Sequence, residues 1–374
     1  MKRFVYFAIC ITLATMATAN DFKNMRDQFR QRLHYELCQV FGAQDPGAAV
    51  LIMKDGKTLF KQCYGIADTQ TRKPVTDKTR FCIASVSKQF SAVAILQLAE
   101  KGLLSLNDPL SKFLPEYKAD FFNRITLHHI LSHTSGIPDA RERGDRHFVL
   151  TATDVESCGY MKTLDHLNFE PGCGKYEYIN PTFQLVYQIV ERVTGMPFEE
   201  YMQKYIFKPA GMKGTCYFED GRTIPDMAHG YTPDGNGGYR EFDYGEETFF
   251  ATKADGGIYT SINDFAKWEK ALRDNKVWSE DSKRQAYTPH VAIPEGANYG
   301  YQPYNSYGYG FFINERPGHK RIVYHTGDNG GFTIYAGKVP EDDVIVLIFS
   351  TRDNIDRMGI AGMIWDMLEE YYYI

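Results

Sequence analysis

Ser85 lies three residues before Lys88 at the mouth of a long apolar run, and no other serine in the chain has a lysine three positions on. Residues at that spacing share a helix face with side chains in reach of each other. Lys88 can therefore take the Ser85 proton without any histidine. The first turn of a helix also presents unpaired backbone N–H groups and the positive end of its dipole, which favour an oxyanion beside Ser85 and push Lys88 toward its neutral, basic form. The chemistry that fits is acyl transfer through a serine. A serine at such a place also serves as a helix cap, and one residue can do both. Ser87 has no lysine three residues on and faces another side of the helix.

Acyl transfer further needs a hydroxyl that passes a proton to the leaving group and an amide that holds the base and the substrate. Tyr178-Ile179-Asn180 offers both, after the loop Pro171-Gly172-Cys173-Gly174 and before an apolar helix over 183–193. Two similar triplets, Ser105-Leu106-Asn107 and Ser261-Ile262-Asn263, each precede an acidic residue and read as caps. Among 26 tyrosines, a lone one is more often packing than chemistry. The remaining candidate is His325-Thr326-Gly327, which ends a strand just before the turn Asp328-Asn329-Gly330. A strand edge there can pair with an extended substrate, and a backbone N–H can complete an oxyanion hole with that of Ser85. Its plain alternative is a strand running into a turn.

The elements that must position these residues follow from periodicity. Residues 21–41 repeat apolar positions at helical spacing until Gly42 stops the run. Residues 47–53 and 58–65 are two strands around the Asp55-Gly56 turn. The run from Ser85 to Lys101 has almost no polar face, which predicts a helix surrounded by protein and ended by Gly102. Residues 308–313, 321–324, 331–336 and 344–350 read as four strands that join the N-terminal hairpin in one antiparallel sheet. A helix over 354–371 would lie on it. The fold class expected is α/β in the α+β sense: sheet segments 45–65 and 308–350, flanked by terminal helices, with a mostly helical region over roughly 85–285 inserted between them.

A composition of 43% hydrophobic and 24% charged residues supports a large core and excludes disorder as the default. Lys2 and Arg3, an apolar stretch over 4–13 and Ala17-Thr18-Ala19 read as a cleavable signal peptide over 1–19, so a periplasmic or secreted protein over 20–374 is expected. Cys10 follows Ala8-Ile9 rather than a lipoprotein cleavage pattern, so no lipid anchor is expected. No later segment approaches the roughly 18 unbroken apolar residues of a membrane span. The net charge of −5 becomes −7 when Lys2 and Arg3 leave, the wrong sign for nucleic acid. Six cysteines remain: Cys38, Cys63, Cys82, Cys158, Cys173 and Cys216. They permit 15 pairings or free thiols. Should a bridge form, Cys158 with Cys173 is the expected pair.

Taken in order, Ser85-x-x-Lys88, Tyr178-x-Asn180 and His325-Thr326-Gly327 resemble the penicillin-recognising serine hydrolases, especially the class C β-lactamase and D-peptidase branch. The resemblance covers most of the chain and extends to Asn107-Asp108-Pro109-Leu110, to Leu131 through Pro138 and to Gly256 through Ser261. It implies a β-lactamase/transpeptidase-like fold in which Ser85 is acylated, Lys88 is the base, and Tyr178 shuttles the proton. Asn180 would position Lys88 and substrate, His325, Thr326 and Gly327 would line the substrate, and the N–H groups of Ser85 and Asp328 would bind the oxyanion. The Asp328 carboxylate has to turn away from that site.

No metal or cofactor is implied. His129 and His133 lie four apart, but the intervening residues lack the glutamate of a zinc protease. A Gly-x-Ser-x-Gly elbow is absent. Dedicated β-lactamases of this branch carry lysine where this chain has His325, a weaker and pH-dependent cation for a substrate carboxylate. The expectation is an exported monomeric hydrolase of D-amino-acid peptides or small esters, including cell-wall fragments. The alternatives are a true β-lactamase and a non-catalytic receptor for cell-wall fragments.

Overall fold

A computed structural model describes residues 19–139, 148, 151–219, 223–242 and 252–372; residues 1–18, which hold nearly all of the expected leader, lie outside them. Numbered in chain order, the main sheet consists of β1 (Ala48–Lys54), β2 (Lys57–Tyr64), β3 (Val291–Ala292), β4 (Asn305–Tyr307), β5 (Phe312–Asn314), β6 (Ile322–Asn329), β7 (Phe332–Val339) and β8 (Val344–Ser350). The strands lie in the order β3-β4-β5-β6-β7-β8-β1-β2, all pairs antiparallel. The N-terminal hairpin thus enters the C-terminal sheet beside β8, in a register from Ala48 opposite Ser350 to Lys54 opposite Val344. Asp55 and Gly56 have φ of 51° and 69°, the left-handed pair that a tight hairpin turn demands.

Five helices matter for the site: α1 (Ala19–Val40), α2 (Lys88–Glu100), α3 (Asn180–Thr194), α4 (Ile262–Arg273) and α5 (Arg357–Tyr372). The unbroken apolar runs of β1 and β8 arise because both faces of the sheet are covered. Alternate residues separate into two cores. Val50, Ile52, Val346 and Ile348 pack with Phe29, Leu33 and Leu37 of α1 and Ile364 and Leu368 of α5. Ala49, Leu51, Leu347 and Phe349 face the other way, into a core that holds Phe90 and Val93 of α2, Phe183 of α3 and Phe265 of α4. Residues 88–98 are all buried, as an apolar surface on every side of a helix requires. Among the described residues no helix is long and apolar enough to cross a membrane.

Several local expectations need correction. Only the end of the strand expected over 308–313 is extended, in β5; residues 308–311 form a turn between β4 and β5, closed by Gly308 N–H donating to Phe311 O at 2.8 Å, with Gly310 at φ 75°. Helix α2 is preceded by a 3₁₀ turn, Ala84–Ser87, rather than starting at Ser85, and no side chain caps either start. A three-stranded sheet that pattern did not suggest places Ile258–Ser261 between Arg80–Cys82 and Cys216–Tyr217. Its strands are too short to leave a periodic signal. The pairing of Cys158 with Cys173 does not form: none of the six described cysteines is in a disulfide, Cys158 being buried with its Sγ donating to Pro181 O at 3.4 Å and Cys173 exposed.

Candidate active site

The small sheet fixes the chain just ahead of Ser85, where Ile83 N–H donates to Ile258 O at 3.0 Å and the Ser87 hydroxyl accepts from Ile258 N–H at 3.3 Å. Ser87 is thereby structural. Ala84 has φ 47°, a left-handed conformation costly for a residue with a Cβ, so the turn that presents Ser85 stores strain. One turn beyond Ser85, at the first residue of α2, Lys88 is completely buried; its Nζ lies within hydrogen-bond distance of Ser85 Oγ at 3.1 Å and donates to Asn180 Oδ1 at 2.8 Å and Asp255 O at 2.9 Å. Asn180 is the first residue of α3 and is followed by Pro181, whose fixed φ suits a first turn. The segment that supplies Asp255 O is also tied down by Asp154, which accepts from the N–H groups of Lys253 and Ala254.

Tyr178 is buried beside this pair, its ring centroid 5.1 Å from Lys88 Nζ. Burial pushes its phenol pKa up, and a hydrogen bond with the Ser85 side chain pulls the other way. The His133 ring covers it at a centroid distance of 4.1 Å, and His133 Nδ1 accepts from Ile179 N–H at 3.3 Å. His129 does not join His133. Its Nδ1 instead serves the start of the 127–131 helix at Thr126, and no group of three His, Cys, Asp or Glu side chains fit to hold a metal occurs among the described residues.

Strand β6 closes the other side. His325 is buried, and its Nδ1 donates to Thr326 O at 2.6 Å, since a carbonyl only accepts; its Nε2 therefore accepts from the Tyr307 hydroxyl at 3.0 Å. Burial, together with the charge of Lys88, pushes its pKa down to about 3, so the ring is neutral at physiological pH. The weak, pH-dependent cation expected at this position is absent: the imidazole is desolvated and both nitrogens are engaged. Because the unfolded value is 6.5, unfolding takes up a proton that the native ring refuses, and native stability drops as pH falls through the interval from about 6.5 to about 3. His325→Gln should flatten that dependence by about 1.4 kcal/mol per pH unit. Chemical denaturation of both proteins at pH 6 and pH 4.5 checks this, and equal slopes would remove the neutral-histidine assignment.

The Asp328 carboxylate pairs with Arg357 Nη1, which also donates to Gly327 O at 3.1 Å. Ser85, Tyr178, Asn180, His325, Thr326 and Asp328 line one cleft of about 250 Å³. Gly327 carries the strand past the Ser85 turn. Tyr299, Tyr301, Tyr324 and Arg357 complete the wall. A larger cavity of about 330 Å³ lies against Glu269 and Lys338. It offers no nucleophile beside a base, and its Lys338 and Arg321 are in ion pairs with Glu269 and Glu341. The smaller cleft is therefore the candidate site. Asp255 and Arg357 were not anticipated. Asp255 acts through its carbonyl, which any residue possesses, although the Gly256-Gly257 pair following it was a signal. Arg357 sits at the start of α5, and only the fold brings it to β6.

With that geometry in place, comparison with known proteins is informative. The Beta-lactamase family model matches residues 27–362, and the chain belongs to this family of serine hydrolases. It is 28% identical over 321 residues to the putative penicillin-binding protein PbpX of Bacillus subtilis (strain 168), covering 86% of this chain and 74% of that protein. It is 29% identical over 294 residues to the D-aminopeptidase of Brucella anthropi, covering 75% of this chain but only 51% of that protein. Among solved structures, the octameric penicillin-binding protein homologue from Pyrococcus abyssi superposes with a TM-score of 0.77 at 27% identity, over 91% of this chain and 76% of that one. The penicillin-binding protein from Bacillus halodurans gives 0.75 at 28%, over 88% and 98%.

Proposed function

We propose that the protein is an exported serine hydrolase in which residues 20–374 act as one monomeric catalytic module, cleaving amide or ester bonds of D-amino-acid peptides or small esters through an acyl-enzyme. The observation that carries this reading is Lys88 Nζ placed 3.1 Å from Ser85 Oγ while two further acceptors, Asn180 Oδ1 and Asp255 O, hold it in position. Those two acceptors account for both N–H groups of a neutral amine, leaving its lone pair for the Ser85 proton.

Ser85 Oγ attacks the substrate carbonyl as its proton passes to Lys88. The oxyanion is received by the backbone N–H groups of Ser85 and Asp328, preorganised donors that need no rearrangement as charge develops. Tyr178, hydrogen-bonded to Ser85, relays the proton to the departing amine or alcohol. Its raised pKa keeps it protonated at rest, so it serves as donor and acceptor in sequence. Water then attacks the acyl carbonyl, returning a proton along the same path and releasing Ser85. The D-aminopeptidase relative supports the amide and D-residue part of this reading. Labelling with a fluorophosphonate probe tests it: the wild-type protein should be modified at Ser85 and Ser85→Ala should stay unlabelled. Equal labelling of the two would remove the assignment, and no labelling of either would favour a non-catalytic receptor.

A further inference from the structure

The mouth of the cleft carries a charge arrangement that the acyl-transfer steps do not use. Arg357 is the only cation lining the cleft among the described residues, and it is paired with the Asp328 carboxylate. Histidine 325, on the same strand, is neutral and buried. The Asp328 side chain is 57% exposed, so its charge faces whatever enters. The rest of the wall is uncharged and largely aromatic, Tyr299, Tyr301, Phe312 and Tyr324 alongside Gly300, Gln302 and Met358.

Resting on the acyl-transfer reading above, we propose that Asp328 is a specificity determinant: held by Arg357, it occupies the place a substrate carboxylate would take, so the site selects neutral or ammonium-bearing amides and esters. An entering carboxylate has to approach Arg357 beside an anion that already neutralises it. Two like charges about 6 Å apart in a half-solvated cleft correspond to about ten-fold discrimination. An ammonium group meets the opposite field, with Asp328 and the tyrosine faces both favourable to it.

The test uses ester pairs identical except for one group: 4-carbamoylphenyl against 4-carboxyphenyl acetate, and a second pair carrying the same change on the acyl side. For the wild-type protein, kcat/KM corrected for spontaneous hydrolysis should favour the neutral ester about ten-fold in at least one pair. Asp328→Asn, which leaves Arg357 unpaired, should bring that ratio to one or reverse it in favour of the carboxylate ester, and raising salt should compress the wild-type ratio, because the effect is Coulombic. The ratio is the readout, since Asp328 also contributes its backbone N–H to the reaction. A wild-type ratio of one in both pairs, or a ratio unchanged in Asp328→Asn, overturns the proposal while leaving the hydrolase reading intact. Failure of every ester to acylate Ser85 overturns both.

Discussion

Lys88→Met is expected to slow acylation of Ser85 by about 10²- to 10⁴-fold, the range that a positioned general base contributes. Met keeps the length and most of the volume of the buried side chain, so α2 retains its packing against α3. Three hydrogen bonds disappear, each worth about 1 kcal/mol net, but the desolvation cost of a buried amine, roughly 1–3 kcal/mol, disappears with them. These changes have opposite signs, and stability should shift by less than about 2 kcal/mol. Stopped-flow labelling with a fluorophosphonate, run beside urea denaturation, separates the two effects. A variant that folds and still acylates at the wild-type rate would show that Lys88 is not the base, and the mechanism above would have to be rebuilt around another group.

What could be read from the sequence was whatever depends on short-range spacing. Ser85 and Lys88 are neighbours by helical geometry alone, and Tyr178 and Asn180 are joined by the loop-to-helix junction that Pro181 marks. Strands β1, β2, β6, β7 and β8 followed from apolar runs punctuated by Asp-Gly and Gly-rich turns, whereas the short edge strands β3 and β4 did not, and burial of β1 and β8 on both faces agrees with their lack of polar alternation. Three kinds of information were hidden. Backbone groups such as Asp255 O carry no residue signature. Contacts such as that of Arg357 with β6 depend on where a distant helix docks. Protonation depends on burial, which is why His325 read as a weak cation and is a neutral, doubly hydrogen-bonded ring. The Cys158 thiol belongs with these: it packs at the start of α3, donating to Pro181 O and forming no disulfide, which even cysteine numbers cannot reveal.

The candidate site is assembled against the preferences of its parts. Ala84 is held in a left-handed conformation, Lys88 is stripped of water, and a tyrosine is buried with its pKa raised. Such costs persist only where the surroundings fix the geometry. The constraint comes from two sides, the Ile258–Ser261 strand behind the Ser85 turn and β6 in front of it. If that is correct, the site should be most sensitive where β6 and the turn come closest, even at a position with no chemistry of its own.

Gly327 is that position. A Cβ added there would lie 2.4 Å from Ile83 O and 3.1 Å from Ala84 Cβ, contacts that only movement of one backbone segment relieves. Gly327→Ala should therefore separate β6 from the turn, destabilise the protein by about 1–3 kcal/mol and, by displacing the Asp328 N–H from the attacked carbonyl, lower acylation by about 10²-fold. Gly102 provides the contrast. It adopts a positive φ, 67°, where Gly327 does not, but a Cβ there meets nothing within 4 Å. Gly102→Ala should cost only the backbone term of about 1 kcal/mol and leave acylation unchanged. Denaturation curves and single-turnover rates for the two variants decide the matter. If Gly327→Ala acylates as fast as Gly102→Ala, the close approach of β6 does not set the geometry of the nucleophile.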